Sequence, residues 1–166
     1  RDLMTNLGVA LEGKRILLVG AGGAARGAMG ALLEQNPAAL VVANRSDARA
    51  IELAALFATA QGKSPSAASF DDLADERFDI VINATAASLA GEAPRLPAGL
   101  YADDALAYDM MYAKQDTPFM RIARAQSARV SDGLGMLVEQ AAESFFVWRA
   151  LRPATRPVLA SLRRCL

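Results

Sequence analysis

The segment Arg15-Ile-Leu-Leu-Val-Gly20-Ala-Gly22-Gly23-Ala-Ala25-Arg26 constrains this chain more than any other. An apolar run of strand length stops at a cluster of glycines, and an alanine-rich helical pattern starts at once. The cluster fits G-x-G-x-x-G/A with Ala25 in the third place. Gly20 permits the tight turn, Gly22 lets a phosphate approach the backbone, and a small third residue allows close helix–strand packing. The helix N-terminus then turns its free N–H groups and the positive end of its dipole toward an anion. Glycines also end strands for purely local reasons. Context separates the two readings, and a strand before and a helix after favour a dinucleotide.

The rest of the chain repeats the alternation. A lead-in helix is expected over residues 3–11, with Leu3, Leu7 and Leu11 at spacing four on one face. Strands are expected over 15–19, 40–43, 78–82, 105–110 and 128–131, with a weak one inside 65–70. Helical patterns run over 24–35, ending before Asn36-Pro37, then from Ser46 as N-cap to about Gln61-Gly62. In the latter, Ala50, Ile51, Ala54, Ala55 and Ala58 are expected to face inward. A polar helical turn is read over 71–76, and a loop over 83–100. Asp116 or Thr117 caps a further helix to Gln126, a long helix follows Asp132-Gly133-Leu134-Gly135 to about 151–153, and a short one covers 157–166. Strands alternating with helices at this spacing mean α/β: a Rossmann-type, doubly wound, mainly parallel six-stranded sheet with helices on both faces. The expectation is one domain over 1–166, with a lead-in helix 1–14, an α/β core 15–131 and C-terminal helices 132–166.

Composition narrows the chemistry. The 18 basic and 18 acidic residues cancel, which favours neither nucleic acid nor an anionic membrane as partner. No apolar run approaches the ~20 residues of a membrane span. With no histidine, a Ser-His-Asp triad and a His-ligated zinc site are excluded, and no metal site is expected. Cys165 is the only cysteine, so no disulfide framework exists and a reducing, cytoplasmic setting is the simplest reading. Proton chemistry falls to Lys, Asp, Glu or Tyr. The start at Arg1, without Met and without a signal-peptide pattern, reads as a cut from a longer chain.

The end of the second strand selects the cofactor. An NAD site places Asp or Glu about 20 residues beyond the glycines to grip the ribose hydroxyls. Here the sequence is Asn44-Arg45-Ser46-Asp47-Ala48-Arg49, with no acid at the strand tip. Arg45 and Arg49 fall at a helix N-terminus, where the dipole disfavours cations unless an anion is bound. The 2′-phosphate of NADP is such an anion, and Asn44 is in reach of the ribose; the bland alternative is two arginines extended into solvent. Asn83-Ala84-Thr85 after the fourth strand is either a cofactor-facing turn or an ordinary Asn/Thr turn. In Tyr108-Asp109-Met110-Met111-Tyr112, Asp109 is expected to fix the loop through hydrogen bonds. Met110 reads as core or as packing on a nicotinamide ring, and Tyr112 as the group reaching a polar substrate. Gln140 shares a polar stretch with Glu139, Glu143 and Ser144, and the residues alone favour a solvated face.

Together these motifs closely resemble the C-terminal cofactor-binding domain of the shikimate dehydrogenase family: the turn Gly20, Ala21, Gly22, Gly23, Ala24; Asn44-Arg45-Ser46 with Arg49; Asn83-Ala84-Thr85; Tyr108 to Tyr112; and Asp132 to Gln140, on into Ala141-Ala142-Glu143. The resemblance implies reduction of 3-dehydroshikimate to shikimate with NADPH, in the route to chorismate and the aromatic amino acids. It implies pyrophosphate at Gly20–Ala24, the adenosine 2′-phosphate at Asn44, Arg45, Ser46 and Arg49, the nicotinamide half along Thr85, Met110 and Gly133, and substrate contacts from Tyr112 and Gln140. The family's N-terminal substrate domain, with its catalytic Lys–Asp pair, has no counterpart here, and Lys14, Lys63 and Lys114 stand in no matching motif. No catalytic residue is therefore assigned. A quinate/shikimate paralogue and a non-catalytic dinucleotide-binding module are the alternatives. The loop Ala86-Ala87-Ser88-Leu89-Ala90-Gly91 departs from the family's usual Gly- or Pro-bearing pattern. Leu134, Leu137, Ala141, Phe145 and Trp148 form an apolar stripe that in the family packs partly on the substrate domain, which implies self-association of the isolated chain.

Overall fold

A computed structural model describes residues 1–58 and 64–166. Six strands form one sheet in the order β3-β2-β1-β4-β5-β6. They are β1 (Arg15–Val19), β2 (Ala39–Ala43), β3 (Ser66–Ala68), β4 (Phe78–Asn83), β5 (Tyr101–Asp109) and β6 (Arg129–Asp132). Every neighbouring pair is parallel. The order reverses between β1 and β4, and it is at such a switch that ligands bind in open α/β sheets.

The helices are α1 (Gly23–Leu33), α2 (Asp47–Leu56), α3 (Pro118–Ala125), α4 (Leu134–Arg149) and α5 (Thr155–Cys165). Ala25, Met29 and Leu32 of α1, with Ala50 and Leu53 of α2, cover one sheet face against Ile16, Leu18, Val42 and Ile80. On the other face Phe119, Met120 and Ala123 of α3, with Leu73, meet Leu17, Val19, Val81 and Ala107. A strand buried on both faces needs apolar residues at successive positions, which is why β1 reads Ile-Leu-Leu-Val without alternation. Thr117 caps α3 by accepting from Met120 N, ahead of Pro118 in the first turn.

Several elements depart from the sequence expectation. The lead-in helix shrinks to a π-helical turn, Asp2–Asn6, because Gly8 takes φ +65° and ends it, although Leu11 is still buried. Ser46 has the extended backbone of an N-cap, but its side chain makes no capping bond. Helix α2 stops at Leu56 and buries Ala50, Leu53 and Ala54, whereas Ile51 is 59% exposed and Ala55 and Ala58 also face out. The expected end of that helix at Gln61-Gly62 lies outside the described residues, as does Lys63. Strand β5 starts four residues early, at Tyr101; a register shift opposite Phe78 and Ile80 and a left-handed Asp104 (φ +58°) break the alternation that would have revealed it. β6 runs to Asp132, one residue past the expected core. Among the described residues no helix is long and apolar enough to cross a membrane.

At the amino edge of the sheet Asp79 accepts from Arg15 N at 2.8 Å and Lys14 Nζ at 3.3 Å, which ties β1 to β4. Partial burial pushes its carboxyl pKa up, but the Arg15 and Lys14 hydrogen bonds and charges outweigh this and hold it below the ordinary value. A carboxylate with a depressed folded pKa contributes stability that is present above its unfolded pKa of ~3.9 and lost as pH falls through the lower folded value. Solvent screens the pair, so Asp79→Asn is expected to cost at most about 1 kcal/mol at pH 7. In thermal melts the difference from the parent should close in that acid range.

Candidate dinucleotide site at the carboxyl edge

The register aligns the strand ends. Ala68, Ala43, Val19, Asn83, Asp109 and Asp132 stand in one row across the sheet, so the loops beginning at Gly20, Asn44, Ala84, Met110 and Gly133 leave the same edge at the same height. These loops, with the first turns of α1 and α2 that follow two of them, carry every cofactor-site residue expected from the sequence.

Gly20 is fixed twice over. Its φ of +114° is a conformation other residues rarely adopt, and an added Cβ would lie 3.1 Å from both the carbonyl carbon and oxygen of Ala84. Its N–H donates to Ala43 O at 2.7 Å, while Ala84 N donates to Val19 O at 2.8 Å, which locks the three central loops together. Gly22 and Gly23 differ: an added Cβ on either meets no protein atom within 4 Å. The protein's own packing does not require glycine there. Gly22 is the N-cap of α1, whose first turn has neither a side-chain cap nor an acidic residue. Backbone donors and room for a close approach fit a phosphate.

Beyond β2, Asn44 Nδ2 donates to Ser46 O at 3.1 Å and closes the turn into α2. Arg45 and Arg49 are exposed, and among the described residues neither has an ion-pair partner. Two unpaired cations at a helix N-terminus are unfavourable unless an anion joins them. Arg26, in the first turn of α1, is equally exposed and, among the described residues, equally without an ion-pair partner. No short motif singles Arg26 out, yet the helix dipole acts on it as it does on Arg45 and Arg49.

On the other side of the switch the polar groups are internally satisfied. Asn83 is fully buried, and its Oδ1 accepts from Thr85 N at 3.1 Å and Thr85 Oγ1 at 2.7 Å. Asp109, also fully buried, takes hydrogen bonds from Asn83, Ser88, Met111 and Thr117, the loop-fixing role expected of it. Gly133 lies so close to Met110 that an added Cβ would be 2.7 Å from the Met110 carbonyl carbon and nearer still to its oxygen. Thr85, Met110 and Gly133 thus follow three neighbouring strands, β4, β5 and β6.

Tyr112 is 43% exposed, and Gln140 lies exposed on α4; among the described residues neither side chain has a hydrogen-bond partner. The expected solvated face of α4 holds for Gln140 but not for Glu139, which is buried and accepts from Asn6 Nδ2 at 3.4 Å. Of the apolar stripe, Leu134 is buried, while Leu137, Ala141, Phe145 and Trp148 are exposed. Lys14 is paired to Asp79 at the opposite edge, and Lys114 is exposed in the loop after Tyr112. Two clefts of about 260 and 210 Å³, beside Phe70 and Arg95 and beside Leu33 and Pro37, are lined by none of the expected cofactor-site residues.

A polar cluster missed in the sequence braces this edge from behind. Tyr108 OH donates to buried Asp2 at 2.6 Å, and Asn6 Nδ2 donates to the same carboxylate at 2.8 Å. Burial first, and then the Asp2 carboxylate, push the Tyr108 hydroxyl pKa upward. Asp132 pairs with Arg163 of α5, which raises the guanidinium's pKa, and accepts from Leu134 N at 3.2 Å. No short-range pattern announces partners 106 and 31 residues apart. Tyr108→Phe leaves Asp2 one donor short, and denaturant melts should show a loss of about 1–3 kcal/mol.

A family model described as Shikimate / quinate 5-dehydrogenase matches residues 3–91, and one described as Shikimate 5′-dehydrogenase C-terminal domain matches 133–163. The chain belongs to the shikimate/quinate 5-dehydrogenase family. A family member from Aromatoleum aromaticum, named shikimate dehydrogenase (NADP(+)), is 60% identical over 168 residues, covering 100% of this chain and 60% of the relative. Among solved structures, an Ael1 enzyme from Pseudomonas putida is 47% identical with a TM-score of 0.89, over 98% of this chain and 59% of that one. Shikimate 5-dehydrogenase from Thermus thermophilus, solved with NADP(H) and shikimate, is 31% identical with a TM-score of 0.82, over 99% and 60%. The chain spans about 60% of the length of the curated relatives it matches.

Proposed function

We propose that this chain is the NADP(H)-binding part of a cytoplasmic shikimate dehydrogenase, folded as one domain, which interconverts 3-dehydroshikimate and shikimate in the formation of chorismate and the aromatic amino acids. The observation that carries the reading is the Arg45/Arg49 pair beyond β2, without an ion-pair partner among the described residues, on the same edge as the open glycine turn and with no acid at the strand tip. The names of the relatives, and the NADP(H) and shikimate in the Thermus thermophilus structure, support it.

Gly20, Ala21, Gly22, Gly23 and Ala24 hold the pyrophosphate through backbone donors. Asn44, Arg45, Ser46 and Arg49 hold the adenosine 2′-phosphate, with Ser46 contributing a hydroxyl left free of capping. Thr85, Met110 and Gly133 line the nicotinamide half. When bound, NADPH supplies the hydride. The chain's contribution is orientation and electrostatics, and Tyr112 and Gln140 offer exposed polar groups to the substrate hydroxyls. No lysine here is assigned to proton transfer; that role belongs to the Lys–Asp pair of the family's substrate domain.

The 166 residues alone are therefore expected to bind NADPH without oxidising it when 3-dehydroshikimate is added. Steady loss of the reduced-nicotinamide absorbance would contradict the assignment of proton transfer to the substrate domain. Quinate is the alternative substrate, since the matched family description names both acids; the free hydroxyl and amide of Tyr112 and Gln140 do not distinguish them. The exposed Leu137, Ala141, Phe145 and Trp148 face gives self-association at high concentration, and a strictly monomeric species by light scattering would argue against it.

A further inference from the structure

The three residues assigned to the nicotinamide half are joined by one hydrogen-bonded chain, and Asp109 is its centre. Thr85 Oγ1 donates to Asn83 Oδ1 at 2.7 Å, and Asn83 Nδ2 donates to Asp109 Oδ1 at 3.1 Å. The same Oδ1 accepts from Met111 N at 3.0 Å, and Met111 O accepts from Gly133 N at 2.9 Å. Met110 N donates to Asn83 O at 2.9 Å. The chain thus runs from the β4 loop through the β5 loop to the start of α4. The other oxygen, Oδ2, accepts from Ser88 Oγ at 2.8 Å and Thr117 Oγ1 at 2.6 Å.

Among the described residues Asp109 has no cation against it, and its side chain is out of reach of solvent. A buried carboxylate in an apolar strand end is costly unless donors surround it. Here the donors come from four separate places: β4 itself, the β4 loop, the β5 loop and the cap of α3. Four segments that could each shift independently are given one common reference point. We infer that Asp109 is a positioning residue, which sets the spacing of Thr85, Met110 and Gly133 against the nicotinamide half of the cofactor without touching it. This rests on the NADP(H) reading above.

The geometry discriminates between two substitutions. In Asp109→Asn the amide oxygen still accepts from Asn83 and Met111. Its NH₂ donates to the Ser88 and Thr117 hydroxyls, which accept as readily as they donate. Asp109→Leu keeps roughly the volume and offers no acceptor. The test titrates the 166-residue chain with NADPH and with adenosine 2′,5′-bisphosphate, which carries only the adenosine end. Asp109→Leu is expected to weaken NADPH about tenfold, from donors left unpaired, while the bisphosphate stays within about twofold. Asp109→Asn should stay near the parent for both ligands. Thr117→Val removes the cap bond to Met120 N and one donor on Asp109 Oδ2 but leaves the Oδ1 links to Asn83 and Met111, so it should lower Tm and change neither affinity. Should Asp109→Leu not fold, Asn83→Ala carries the same selective expectation, since it cuts the link between Thr85 and Asp109. Equal losses for both ligands, or none for NADPH, would overturn the positioning role. A parent chain that binds neither ligand would instead overturn the NADP(H) reading.

Discussion

Arg45→Ala is expected to weaken NADPH binding by roughly 10- to 100-fold and to leave NADH within about twofold of the parent. A hydrogen bond to a charged group contributes about 1.5–3 kcal/mol, and the 2′-phosphate that would accept it is absent from NADH. The free chain sharpens the effect. Among the described residues Arg45 has no carboxylate to leave before it meets a phosphate. Arg49, one helical turn further along, is in the same condition, and the double substitution should abolish the preference for NADPH. Stability should change little, because both side chains are exposed. Isothermal titration of the two cofactors reads the outcome, and an equal loss for both would remove the clamp from the site.

Gly133→Ala should have the largest effect on folding. Its backbone is ordinary, with φ −82°, so strain is not the cause. The methyl group would enter the Met110 carbonyl, a backbone group held by the β5–β6 register and by Gly133 N bonding Met111 O. Overpacking against backbone costs about 3 kcal/mol, a fall in Tm of roughly 6–12 °C for a chain of this size. Gly22→Ala makes the contrast. With no protein atom within 4 Å of the added carbon, Tm should hold while dinucleotide affinity falls. Two glycines of the same edge thus answer to different demands, one to the protein's packing and the other to its ligand. If Gly22→Ala melted the protein and Gly133→Ala did not, both assignments would be reversed.

What could be read beforehand follows the range of the interactions involved. The glycine turn, the parallel alternation and the basic tip of the second strand are short-range patterns, and the strand register brings them to one edge. Asp109 was legible because a lone acid in an apolar strand end demands partners, but Ser88 and Thr117 among those partners were not, being 21 and 8 residues away. The start of β5 was hidden by its bulge and by two exposed aspartates, Asp103 and Asp104. The inward face of α2 was misjudged because alanines are nearly uniform around the helix, so periodicity had little to grip. The Asp2–Tyr108 bond and the Asp132–Arg163 pair join the chain's ends to its middle, and no local pattern encodes that.

The carboxyl edge of this sheet is expected to select NADP(H). The most direct measurement is a pair of titrations of the unmodified 166-residue chain, one with NADPH and one with NADH, at a single ionic strength. NADPH is expected to bind at least about tenfold more tightly, the margin one charge-assisted hydrogen bond provides. Equal affinities, or tighter binding of NADH, would contradict the role given to Arg45 and Arg49.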